Sequence, residues 1–109
     1  MTKGIVMKNL LLSMLLISAP VCADEDRFED VRGIWMVCAG CHGTEGQGMG
    51  SFPALVGKNA DYIIDALLSY RNGETRGPLS GLMWSQAKAL SEGQIGTLGV
   101  FVQEGLPSK

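Results

Sequence analysis

Two cysteines separated by two small residues and followed at once by a histidine, Cys38-Ala39-Gly40-Cys41-His42, constrain this chain more than any other feature. Thiols at that spacing can add across the two vinyl groups on one edge of a porphyrin, while the next residue turns its imidazole under the ring to bind iron. Ala39 and Gly40 let the backbone run close to the macrocycle, and Gly40 relaxes the turn. The motif therefore predicts one covalently attached haem, with thioethers at Cys38 and Cys41 and His42 as the proximal iron ligand. His42 is the only histidine of the chain. Rival readings explain less of the motif. A zinc site wants four ligands, and no second Cys/His pair follows downstream. A redox dithiol wants a βαβ context that the flanks do not offer. A disulfide between Cys38 and Cys41 leaves His42 without a role.

The first residues read as a secretory leader rather than as part of the fold. Lys3 and Lys8 give a positive start, residues 10–17 form an apolar run broken only by Ser13, and Val21-Cys22-Ala23 is a small-residue cleavage site. The run is too short to span a membrane. Residues 1–23 are thus expected to be a cleaved signal peptide and residues 24–109 a single domain of the periplasm. Met7, directly before Lys8, is an alternative start, and a lipid-bearing Cys22 is an alternative to simple cleavage, although Pro20-Val21 makes a poor lipobox. Without Lys3 and Lys8, 7 basic residues face 11 acidic ones. That balance offers no basic cluster for nucleic acid, and no second apolar segment offers a membrane anchor. A chain this short builds a limited core and needs a staple, which a covalent haem supplies.

Along the remaining sequence the apolar period is helical and nowhere alternates as a strand does, so the chain is expected to be all-α. Phe28, Val31, Ile34, Trp35 and Val37 mark a first helix running into the cysteine motif, with Gly33 inside it as the mark of a close helix contact. Residues 43–57 hold five glycines around Phe52-Pro53 and read as a wrapped loop. Asn59 is a candidate N-cap for a second helix whose face is Tyr62, Ile63, Ala66, Leu67 and Tyr70, stopped by Gly73. Residues 74–82 read as loop and 84–89 as a short helical piece. Ser91 with Gln94 forms a capping box for the last helix, carried by Ile95, Leu98, Phe101 and Val102 and ended by Gly105 and Pro107. Gly93, Gly96 and Gly99 inside that helix cost roughly 3 kcal/mol together relative to alanine, so packing must hold it.

Taken together, the cysteine motif with Gly43, Phe52-Pro53-Ala54-Leu55-Val56-Gly57, Tyr62 with Leu67, Tyr70…Gly73 and Met83…Ala87…Leu90-Ser91…Ile95…Leu98…Phe101 resemble a short bacterial class I cytochrome c. The likeness is to small monohaem proteins and to single halves of dihaem cytochromes c, and it spans about residues 35–102. It implies a class I fold of three main helices plus short helical pieces around one haem c. First and last helices would cross beside the haem, with Gly33 and Gly99 in close contact there and Trp35 and Phe101 as aromatic neighbours. Family members carry more alanine where this chain has Gly96 and Gly99, and the basic residue expected after Gly73 is displaced to Arg76.

The resemblance further implies that the free His42 nitrogen donates to the Pro53 carbonyl and that Pro53 packs on the proximal face. Met83 is the expected distal iron ligand. It lies 41 residues past His42, ample chain to wrap a haem, and seven before Leu90, as in the family. Met36 and Met49 lie too near the attachment site to cross the ring. Trp84 is equally placed to shield the sulfur or to fill core. Tyr62 and Tyr70 read as packing residues, and Arg71 and Arg76 as solvated. With both axial positions filled, the chain is expected to be a soluble electron carrier without catalysis of its own. Its partners would be redox protein donors and acceptors, among them a flavoprotein or a terminal oxidase, met as a monomer or within a hetero-complex. The alternatives are a haem subunit of a flavocytochrome c-type or other dehydrogenase, and a peroxidase or gas-binding protein with an open sixth site.

Overall fold

The computed structural model describes residues 27–107. The leader, its cleavage after Ala23, and the alternatives at Met7 and Cys22 lie outside the described residues. Helix α1 spans Glu29–His42, and Glu29 and Asp30 in its first turn complement the helix dipole. Val31, Trp35, Ala39 and His42 recur on one buried stripe. The helix stops at Gly43, whose N–H returns to the Ala39 carbonyl at 2.9 Å. Helix α2 spans Ala60–Arg71, and the Asn59 side chain caps it by accepting the Tyr62 N–H at 2.8 Å.

Helix α3 spans Ser80–Lys88 and begins four residues earlier than the expected start at Trp84. The reason is the buried Ser80 hydroxyl. It accepts the backbone N–H groups of Arg76 and Gly77 at 2.7 and 2.8 Å and donates to the Gly77 carbonyl at 2.9 Å. That knot fixes the preceding turn and hands Gly81 and Leu82 to the helix, so Met83 sits on a helix rather than after a free loop. Helix α4 spans Glu92–Val100 and opens on the expected capping box, with Gln94 N–H on Ser91 Oγ at 3.1 Å and Ser91 N–H on Gln94 Oε1 at 2.9 Å. It widens into a single π-helical turn, Phe101–Gly105. Among the described residues there is no strand, only an isolated bridge between Met49 and Phe52.

The main core gathers Phe28, Val31, Trp35 and Ala39 against Ile63, Leu98, Phe101, Val102 and Leu106. Phe101 is its hub: the Phe28 ring meets it edge-on at 5.2 Å between centroids, and the Trp35 ring at 5.7 Å. The expected Trp35–Phe101 pair is therefore present. The expected partnership of Gly33 with Gly99 is not. Gly33 is exposed, and a Cβ built there would meet nothing within 4 Å. Gly99 instead presses on α2, where an added Cβ would come within 2.7 Å of Ile64 Cγ1 and 2.9 Å of the Ala60 carbonyl. Two of the three glycines of α4, Gly96 and Gly99, should accordingly respond in opposite directions to alanine. Gly96→Ala, with open space around it, gains roughly 1 kcal/mol from propensity. Gly99→Ala forces α4 off α2 and should lose about 1–3 kcal/mol. Denaturant midpoints of the two variants check the sign of each.

Between α1 and α2 the chain doubles back on itself. Gly48 N–H bonds the His42 carbonyl at 2.7 Å, and Leu55 and Val56 both donate to the Gly46 carbonyl, at 2.7 and 2.9 Å. Gly48 has φ +88°, and a Cβ there would lie 2.9 Å from the Ala54 nitrogen, so only glycine allows the strands of the loop to pass this closely. This loop brings Pro53 back over the end of α1.

Candidate functional site

α1, the glycine loop, α2 and α3 surround one cavity of about 1100 Å³. Tyr62, Ile63, Ala66, Leu67 and Tyr70, the sequence-predicted face of α2, all line it. Cys38, Cys41 and His42 line it from the end of α1, Pro53 from the loop and Met83 from α3. Sites called from residues 45 positions apart thus share one wall system.

His42 is 8 % exposed, and its Nδ1 lies 2.7 Å from the Pro53 carbonyl oxygen. A carbonyl can only accept, so Nδ1 carries the proton and donates, leaving Nε2 as the ring's free lone pair. The contact expected from the resemblance is in place. Cys38 is half-buried and Cys41 exposed, and the two are not joined in a disulfide. Burial pushes the Cys38 thiol up, its own backbone hydrogen bond opposes this, and Cys41 nearby adds to the rise. Among the described residues no three His, Cys, Asp or Glu side chains converge as a zinc site requires.

Of the described methionines only Met83 lines the cavity, half-buried. Met36 and Met49 are 64 % and 49 % exposed and lie outside it. Trp84 is half-buried and lies outside the main core cluster, and its Nε1–H donates to the Glu74 carbonyl at 2.9 Å and ties α3 to the loop before it. Lys58 was not singled out in the sequence. Arg76 is exposed, in keeping with its reading as solvated, and both residues also line the cavity. Their signal is three-dimensional, since 18 residues separate them.

The donor set fits a covalent haem. Two thiols and an oriented imidazole share a largely aliphatic and aromatic cavity, together with a thioether, the soft ligand that raises a haem potential. Comparison with known proteins agrees. A model of the cytochrome c family matches residues 28–101. Cytochrome c-554(548) of Halomonas halodenitrificans is 35% identical over 65 residues, which cover 59% of this chain and 78% of that protein. The cytochrome subunit of sulfide dehydrogenase of Chlorobaculum tepidum is 41% identical over 44 residues, 40% of each chain. A solved cytochrome c4 of Acidithiobacillus ferrooxidans superposes with a TM-score of 0.57 at 31% identity, covering 73% of this chain and 47% of that one. The chain spans about half the length of that cytochrome c4, and the all-α architecture is the class I cytochrome c fold. The chain belongs to the cytochrome c family, as an electron-carrying c-type cytochrome whose cofactor is covalently bound haem c with its iron.

Proposed function

We propose that the chain is a freely diffusing periplasmic carrier, not an enzyme, with haem bound through Cys38 and Cys41 and iron held by His42 and Met83. The observation that carries this reading is the sharing of one cavity by the Pro53-oriented imidazole and the single cavity-lining thioether. Haem supplies the chemistry, one electron taken up and given back. The chain's residues decide the rest. Pro53 holds the His42 proton on Nδ1, so Nε2 faces its ligand role already in the right tautomer. Met83, a soft donor, favours ferrous iron and raises the potential. His42 and Met83 together would leave the iron no position for oxygen, peroxide or substrate, and protein partners docking weakly and briefly would exchange the electron.

A second reading, a haem subunit of a dehydrogenase, draws on the likeness to the sulfide dehydrogenase subunit. There the partner would perform the chemistry and this chain would accept the electrons. Among the described residues no helix is long and apolar enough to cross a membrane, which both readings allow. Purification from the periplasmic fraction tests the proposal. The secreted chain should carry the mass of one haem, stain for haem on a denaturing gel, and fail to bind carbon monoxide when reduced. Ready carbon monoxide binding, or a stoichiometric flavoprotein partner through every column, would defeat the free-carrier reading.

A further inference from the structure

The stretch of chain that delivers Met83 to the cavity has almost no burial of its own. Glu74, Thr75, Arg76, Pro78 and Leu79 are exposed and Gly77 is half-buried, so this turn adds nothing to the core. Within α3 itself only Ser80 and Ala87 are buried, one near each end. Positions 80, 83, 84 and 87 share one helix face, which places Met83 and Trp84 between these two anchors. α3 packs on α2, and the fully buried Ala87 seats its far half. The near half, which carries the thioether, is anchored differently.

Ser80 Oγ uses everything a hydroxyl offers. Two lone pairs accept the Arg76 and Gly77 N–H groups, and its one proton goes to the Gly77 carbonyl. One residue past Met83, the Trp84 indole N–H reaches back to the Glu74 carbonyl at 2.9 Å. These clamps flank Met83 and hold the exposed turn to the helix at both Glu74 and Gly77. Neither side chain is a thioether or an imidazole, so both act through Met83. A helix turned by a single residue rotates by about 100°, enough to carry a sulfur away from the axis of a planar ring. We propose that Ser80 and Trp84 are positioning residues: together they fix the rotation of α3 so that the Met83 sulfur stays on the iron and small ligands stay out. The proposal rests on coordination by His42 and Met83 and adds what keeps the sulfur there.

The test uses the secreted, haem-bearing chain in its reduced form, with carbon monoxide as the probe and its rate of entry as the readout. Ser80→Ala and Trp84→Phe should keep haem and admit carbon monoxide about tenfold faster than the wild type or more. Tenfold is the factor that one hydrogen bond's worth of stability, about 1.4 kcal/mol, sets. Ser80→Thr, which returns the hydroxyl, should restore exclusion. Gly99→Ala weakens the contact of α4 with α2 but leaves both clamps intact, so it should exclude carbon monoxide as the wild type does. Trp84→Phe keeps a ring in the half-buried site and frees only the carbonyl of an exposed residue, so it carries the test if Ser80→Ala is not secreted. Clamp variants that lose stability yet exclude carbon monoxide like the wild type would overturn the proposal, as would equally fast entry in Gly99→Ala, the mark of general loosening. A wild type as open as Met83→Ala would instead defeat the coordination by His42 and Met83 itself.

Discussion

Serine in place of both Cys38 and Cys41 is expected to give a secreted chain that retains no haem on a denaturing gel and loses most of its helical signal. The reasoning starts from how little core the protein makes for itself. Leu55, Val56, Leu67, Tyr70 and Met83 are only half-buried by protein and all face the 1100 Å³ cavity. Burying one such side chain completely is worth about 1.5–3 kcal/mol, so covering the remaining surface of five contributes several kcal/mol. A domain of this size has a total stability of roughly 5–15 kcal/mol. Without the cofactor, α3 keeps its packing on α2, the Ser80 knot and the bond from Trp84 to Glu74, but its cavity-lining face at Met83 loses its cover. The variant should therefore approach a partly helical, loosely packed chain in which α1, α4 and the Phe28–Phe101–Trp35 cluster persist longest. Circular dichroism and in-gel haem staining of the same sample give the answer. A double variant with native helicity and no haem would show that the polypeptide core suffices, and would sink the argument that the cofactor serves as a staple.

The features legible in the sequence are those whose signal is local. Asn59 and the Ser91–Gln94 box mark helix starts because a cap acts within three residues of itself. The face Tyr62, Ile63, Ala66, Leu67 and Tyr70 is readable because a helix repeats every 3.6 residues. The start of α3 was not readable, since Ser80 works by reaching backward to Arg76 and Gly77 while Gly81 and Leu82 remain exposed and break the apolar period. Gly33 misled for a related reason. A glycine inside a helix costs the same whether a neighbour presses on it or nothing does, and the sequence names no neighbour. Gly99 did have a neighbour, but it was α2 rather than α1. Leu106, also buried, lies where the periodic pattern had already ended. The pairing of Lys58 with Arg76 on the Tyr62 ring needed coordinates, because no short-range rule links a pre-helix lysine to a loop arginine.

Met83→Ala is expected to keep haem attached, lower the reduction potential on the order of 100 mV or more, and open the ferrous iron to carbon monoxide. Axial ligands move haem potentials over roughly 0.8 V, so loss of a thioether is among the largest single changes the chain can make. Attachment should survive because it depends on thioethers at the far end of α1, and α3 should survive because alanine is the better helix former at an interior position of Ser80–Lys88. The packing loss is that of one half-buried side chain, about 1–3 kcal/mol. Two controls separate ligation from general damage. Met36→Ala and Met49→Ala alter exposed side chains outside the cavity and should leave potential and carbon monoxide exclusion as they were. If Met83→Ala behaves like these controls, the sixth position belongs to another group or to none. If instead wild type and Met83→Ala both bind carbon monoxide, the iron was open from the start, and the protein is a peroxidase or gas-binding relative rather than a sealed carrier. The electron-carrier reading requires the third pattern: exclusion in the wild type, exclusion in both controls, and entry only where the cavity-lining thioether has been removed.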